Sequence, residues 1–274
     1  MSTASAPLEI GHVALTVHDL PGMTGFYRSA LGLEVLASDA ATAQLGAGGR
    51  VLVELRGDKA ARRSGRREAG LFHTAFLMPD RKSLARWLIH AAESRLPLQG
   101  ASDHLVSEAI YLADPEGNGI EVYADRSRMV WTGPDGKIRM DTLALDLNEL
   151  AAQADGPWTG APEGEVVGHV HLQVGNVARA EEFYRDTLGF DVAAHYPGAS
   201  FLGSGGYHHH IGANIWNSRD AGLRAFPATG LSELVLRADA GRLAAVTARA
   251  GGTSLADPWG TPVTLLAKEA QNAG

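Results

Sequence analysis

The chain has 274 residues, room for two domains of roughly 130 to 140, and its 45% apolar and 20% charged content excludes a disordered chain. With 24 basic against 31 acidic residues the formal charge is -7, so no bulk positive field exists to hold nucleic acid or an anionic membrane. The absence of cysteine removes disulfides, thiolate metal sites and thiol nucleophiles together, and leaves any metal to histidine and carboxylate.

The first residues, Met1 to Pro7, lack a basic region followed by an apolar core, and no stretch reaches the roughly 18 to 20 apolar residues of a membrane span. The expectation is a soluble, cytoplasmic protein. Residues 11–36 then read as an alternating strand followed by a helix, and they lie over residues 168–193 at one constant offset with no gap. Gly11/Gly168, His12/His169, Phe26/Phe183, Tyr27/Tyr184 and Leu31-Gly32/Leu188-Gly189 are identical, and Gly48-Gly49 pairs with Gly205-Gly206 at the same offset.

The intervening segment repeats the plan, with a strand over 71–78, a helix over 81–95 and strands ending at Ile120-Glu121-Val122-Tyr123. Residues 126–165 carry Gly133-Pro134-Asp135-Gly136 and Gly156-Pro157 and read as a linker with one short helix over 145–154. In the third unit Val177, Ala180, Phe183, Tyr184 and Leu188 form a helical stripe that Gly189 closes. A fourth unit starts with a strand over 231–236, continues through a helix over 243–250 and ends with a strand over 263–266. The expected architecture is α+β: four βαβββ units in two domains, 8–125 and 166–268, joined by the linker. The 33 glycines supply the turns between short strands.

The histidines at the start of units one and three and the paired Phe-Tyr and Leu-Gly segments at 26–32 and 183–189 resemble the vicinal oxygen chelate superfamily, also called the glyoxalase, bleomycin resistance and dioxygenase superfamily. That resemblance implies curled mixed sheets forming a half-open barrel around a metal. Its members include dioxygenases, glyoxalases, epimerases and metal-free drug-binding proteins, so residues must decide the chemistry.

His12, His73 and His169 occupy the same place in the first strand of units one, two and three, where unit four has Glu233. Equivalent strand positions face the same way, here into the cup. Glu121 shares a strand face with Gly119 and Tyr123, and its counterpart in unit four is Thr264. The run from His104 through Ile110-Tyr111 and Asp114-Pro115-Glu116-Gly117 to Glu121 resembles the signature of extradiol ring-cleavage dioxygenases of the catechol 2,3-dioxygenase type. Ser102 departs from that pattern, which usually has glycine or a β-branched residue there. The resemblance implies Glu121 as a metal ligand, and His104 and Tyr111 as groups that contact substrate. His73 follows as the second ligand.

The third ligand is either His12 or His169. The resemblance implies that the partnering unit also carries an acid-base histidine near its last strand; unit three offers one in Tyr207-His208-His209-His210, together with His171 on the face of His169, and unit one does not, so unit three is favoured. Alternation sets His208 and His210 on one face and His209 on the other, and the reading selects His210. The arginine-rich run from Arg62 to Arg67 reads as a solvated loop, and Phe201 and Trp216 as candidates to line an aromatic pocket.

Two imidazoles and one carboxylate form the facial triad of non-haem Fe(II) oxygenases, which leaves three positions for other ligands. The implied activity is an Fe(II)-dependent dioxygenase, with Mn(II) as the alternative metal, that opens a catechol-type ring with O2. The implied partners are a small aromatic substrate and O2, with a homodimer as one open state. Two rival readings stay open: a metal-dependent glyoxalase or isomerase, and a metal-free binder of an aromatic small molecule.

Overall fold

A computed structural model describes Thr3 and residues 6–268 of the chain. Unit one runs β1 (Leu8–Val17), α1 (Leu20–Leu31), β2 (Glu34–Ser38), β3 (Thr42–Ala47) and β4 (Arg50–Gly57). Unit two runs β5 (Gly70–Leu77), α2 (Arg81–Glu93), β6 (Gly100–Asp103), β7 (Ser107–Ala113) and β8 (Gly119–Asp125). The connecting segment holds β9 (Leu143–Ala144) and the short α3 (Leu147–Ala151). Unit three consists of β10 (Val166–Gln173), α4 (Val177–Glu181) continued by a π-helical turn over Glu182–Thr187, β11 (Asp191–Tyr196), β12 (Ala199–Gly203) and β13 (Ile211–Asn214). Unit four has β14 (Gly230–Ala238), α5 (Ala240–Ala250), β15 (Ser254–Ala256) and β16 (Pro262–Ala267), two strands after its helix where the others have three.

Each helix starts on a capping side chain that accepts from an otherwise unpaired backbone N–H. Asp19 accepts from Gly22, Asp80 from Ser83, Asn176 from Arg179 and Asp239 from Arg242. Such a cap contributes about 1 kcal/mol, so the polar residue before each apolar stripe fixes where the helix begins. No helix among the described residues is long and apolar enough to cross a membrane.

The strands form two mixed sheets. One has the order β15-β16-β14-β1-β4-β3-β2, and the other β11-β12-β13-β10-β5-β8-β7-β6-β9. The first therefore joins units one and four, and the second units two and three. At the centre of each, two first strands run antiparallel (β1 with β14, β10 with β5), and each is flanked by the parallel last strand of its own unit.

The helices close the remaining connections. Tyr27 of unit one donates to Asp114 Oδ2 of unit two at 3.1 Å, and Trp87 Nε1 of α2 donates to the Ala30 carbonyl of α1 at 2.9 Å. Tyr184 of unit three faces Asp257 of unit four in the same way, and Arg249 of α5 donates to the Thr187 carbonyl. Sheets thus bind unit one to four and two to three, while helices bind one to two and three to four. The repeated tyrosine is a structural element of both halves of the chain, which accounts for its place in the repeat.

Alternation sorts the second sheet into two faces. Ile110, Leu112, Ile120 and Val122 belong to the main core beneath the helices. Ala75, Leu77, Ala109, Tyr123 and Val166 form a separate apolar floor on the concave face, with Tyr111 against it. A β-bulge between Val167 and His169 carries β10 across Gly168 and returns His169 to that face. Gly168 is required here, because a Cβ would lie 1.9 Å from the Tyr123 hydroxyl.

Candidate metal centre

Above the apolar floor, His73 of β5, Glu121 of β8 and His169 of β10 converge, with one ligand atom of each within 4.8 Å of the others. All three are buried, at 7%, 2% and 2% exposure. Their backbones explain the convergence: His73 pairs with Gly119 in the parallel β5–β8 ladder, two residues before Glu121, and β10 lies on the other side of β5. Glu121 Oε2 lies 3.0 Å from His73 Nε2 and 3.4 Å from His169 Nε2.

This donor set fits a divalent cation. The Nε2 atoms of His73 and His169 both turn to the one Glu121 oxygen Oε2, at 3.0 and 3.4 Å, so three donor atoms crowd one buried point. Burial alone would push the Glu121 carboxyl up, but His169 and His73 outweigh it and hold Glu121 well below the usual carboxylate range. Burial lowers His169 to about 4, so its imidazole is neutral and offers a lone pair. Two imidazole nitrogens and one carboxylate oxygen suit a first-row divalent metal.

His12 takes no part, because it stands in the first sheet. The equivalent positions there are His12, Glu233 and Thr264; Thr264 Oγ1 donates to Glu233 Oε1 at 2.6 Å, and Arg56 bridges Glu233 and Glu54. A guanidinium supplies the cation in that cup. The third residue of the cluster is therefore His169, from unit three.

A cavity of about 910 Å³ opens over the cluster, within the range that takes a small molecule. His104 and Tyr111 both line it. His104 Nδ1 lies 2.7 Å from the Asp141 carbonyl, which only accepts, so Nδ1 carries the proton and Nε2 accepts from the Tyr111 hydroxyl at 2.6 Å. Burial, then the charge of Glu121, raises Tyr111 well above the usual phenol range and keeps its proton in place. Phe72, Tyr196, Phe201 and Trp216 supply aromatic wall, as expected for the last two.

The three consecutive histidines, of which the sequence reading selects His210, take different places in the structure. His209 lines the cavity, with its ring centroid 4.1 Å from that of His169. His210 points away from it: Nδ1 accepts from the Ser204 backbone at 3.2 Å, and the ring packs on Tyr207 and Phe190. The triplet precedes β13, so it is held by loop contacts and the strand rule could not choose a face. His171 also lines the cavity, directly opposite His73, and its Nε2 has no partner.

Paired repeats, a concave mixed sheet and a buried His–Glu–His cluster beneath an open cavity define a metal-binding protein of the half-barrel, glyoxalase-type fold. The sequence profile of the Glyoxalase/Bleomycin resistance protein/Dioxygenase superfamily matches residues 9–122 and 166–265, and the chain belongs to that superfamily. It is 41% identical over 237 residues to a catechol-2,3-dioxygenase of Bacillus subtilis (strain 168), covering 84% of this chain and 83% of that protein. Among solved structures, glyoxalase I from Zea mays superposes with a TM-score of 0.58 at 17% identity, covering 94% of this chain and 92% of the maize chain. The cppA protein of Streptococcus pneumoniae TIGR4 superposes at 0.56 with 12% identity, covering 95% and 99%. These two likenesses are of fold.

Proposed function

We propose that this protein is an extradiol dioxygenase that uses Fe(II), held by His73, Glu121 and His169, to open a catechol-type ring with O2. The observation that carries the reading is the set of groups around the buried triad: His104–Tyr111 on one side, His209 on another, and aromatic walls between them. The relative named catechol-2,3-dioxygenase supports it. When bound, iron would be held by His73, Glu121 and His169 and would supply the redox chemistry between the catechol and O2.

The chain's own groups hold and move the protons. His209 is the general base in the cavity; burial keeps it neutral and so able to accept a hydroxyl proton from the substrate. The Tyr111 hydroxyl, which donates to His104 Nε2 in the free site, turns its one proton to the substrate oxygen on which charge develops once substrate is bound. Phe72, Phe201 and Trp216 sandwich a planar ring and exclude water. Fixing the ring against the triad lowers the entropic part of the barrier.

The test is anaerobic reconstitution with Fe(II) or Mn(II), then addition of catechols and air. Oxygen uptake with a yellow ring-fission product is expected. Bound metal without oxygen uptake across a panel of catechols, or turnover of another substrate with Ni(II) or Zn(II), overturns the reading.

A further inference from the structure

A hydrogen-bonded chain leads from the cavity away from the metal donors. His209 Nδ1 lies 2.8 Å from His208 Nδ1, and His208 Nε2 lies 2.9 Å from Asp125 Oδ1 at the end of β8. His208 is fully buried, edge-on to Trp131 and tilted against Tyr207.

The protons in this chain are not independent. A contact between two imidazole nitrogens needs one N–H and one lone pair, and a carboxylate only accepts. Asp125 therefore requires a proton on His208 Nε2, and with that single proton on His208 its Nδ1 is a lone pair. His209 Nδ1 must then carry its own proton, and its Nε2 is left bare. The tyrosine chain has the same polarity: Tyr207 donates to Asp125 Oδ1 at 3.2 Å, so at the 2.7 Å contact between the two hydroxyls Tyr123 is the donor. Both chains of donors end on Asp125 Oδ1. A free neutral histidine side chain favours the opposite tautomer, with its proton on Nε2 and no lone pair there.

We infer that Asp125, acting through His208, is a positioning residue that fixes His209 in the tautomer whose Nε2 lone pair is presented to the cavity. The kinetic consequence rests on the reading of His209 as the base; the tautomer does not. An analogous carboxylate in hydrolytic triads holds its histidine in one tautomer, and changing it to the amide leaves the geometry but reverses the tautomer.

The test joins spectroscopy with kinetics. In the full metal-free chain, histidine 15N NMR is expected to show His209 protonated at Nδ1 and bare at Nε2. Asp125→Leu removes the acceptor that holds the His208 proton on Nε2, so His209 is expected to leave the Nδ1–H form for the Nε2–H form that a free histidine favours. If that variant does not fold, His208→Leu, which removes the acceptor of the His209 proton, is expected to give the same switch. In the iron-loaded enzyme Asp125→Leu lowers kcat by about 100-fold with KM little changed, and adds no further loss in a His209→Ala background. A wild-type His209 protonated at Nε2, an unchanged tautomer in the variants, or losses that multiply in the double variant would each overturn the inference. Absence of ring cleavage by the wild type overturns the proposed function alone, because the NMR result still decides the tautomer.

Discussion

Arg56 Nη2 donates to Glu233 Oε2 at 2.5 Å in the cup of the first sheet, while Nε of the same guanidinium donates to Glu54 Oε1 at 2.6 Å. Glu233 is the counterpart of His73, so one cup gathers metal donors and the other carries its cation on a side chain. For both carboxyls burial acts upward, yet hydrogen bonds outweigh it, from Gln44 and Arg56 on Glu54 and from Thr264 and Arg56 on Glu233, and both lie below the ordinary value of 4.5. Depressed folded values mean the stabilisation is complete above the unfolded value and lost as pH falls through the folded one. Arg56→Met is expected to cost about 1–2 kcal/mol at neutral pH, a figure already discounted for the partial exposure of Arg56. Urea denaturation of both proteins should show the difference shrinking in acid, with metal content unchanged. A difference that persists unchanged at low pH would assign the loss to packing.

Glu121 is the charged member of the metal cluster, and Glu121→Gln keeps its volume while removing that charge. Metal affinity should fall by at least the 10- to 100-fold typical of changes to groups that only support a ligand. Metal binding to the native state raises stability by about 2.7 kcal/mol at 100 times Kd. Fe(II) or Mn(II) should therefore raise Tm in the wild type and leave Glu121→Gln almost unmoved at the same concentration. An equal rise in both proteins would place the metal elsewhere.

How far the sequence revealed this site depended on how local the signal was. Glu121 of β8, Tyr111 of β7 and His104 in the turn before β7 belong to one unit, so their spacing survives as a linear motif. His73 and His169 were legible through the repeat, which maps strand positions onto one another. The sheet partners of each unit depend on packing between segments distant in sequence, and no residue in the repeat states them. The choice of His209 depends on Asp125 and on the loop before β13. Arg56 was equally hidden, because a strand arginine looks the same whether it meets solvent or two half-buried carboxylates.

His171 stands over Gly212, and a Cβ on that glycine would lie 2.7 Å from His171 Cδ2 and 3.0 Å from its Nε2. Gly212→Ala must therefore displace the ring, and the free volume lies on the cavity side. Overpacking of this kind costs about 1–3 kcal/mol. Taken from substrate binding at roughly 1.4 kcal/mol per factor of ten, it should raise KM about tenfold while metal content is retained. Adding His171→Ala removes the clash, so the double variant should show the KM of His171→Ala alone. An unchanged KM in Gly212→Ala would mean that the ring shifts away from the substrate.

The two tyrosines that tie the helices to neighbouring units should differ in worth. Tyr27 donates to Asp114 at 3.1 Å, whereas Tyr184 reaches Asp257 only at 3.5 Å, the outer limit of a hydrogen bond. Asp114 also accepts from the backbone of Glu116 and Asn118 and from Asn118 Nδ2, so it is not orphaned when Tyr27 is removed. The loss in Tyr27→Phe is then that of one bond to a buried acceptor, about 1–2 kcal/mol, and Tyr184→Phe should cost less than half as much. Chemical denaturation of the two variants checks the order. Tyr27→Phe should also affect turnover, because the Asp114 turn carries Glu116 and Asn118 into the cavity wall and leads directly into β8 and Glu121. The corresponding turn at Asp257 leads to β16, whose equivalent residue is Thr264, far from the metal donors. Tyr184→Phe should therefore lower stability slightly and leave kcat unchanged. If both variants lose activity equally, the helix contacts act through the stability of the whole chain and not through the turn beside Glu121.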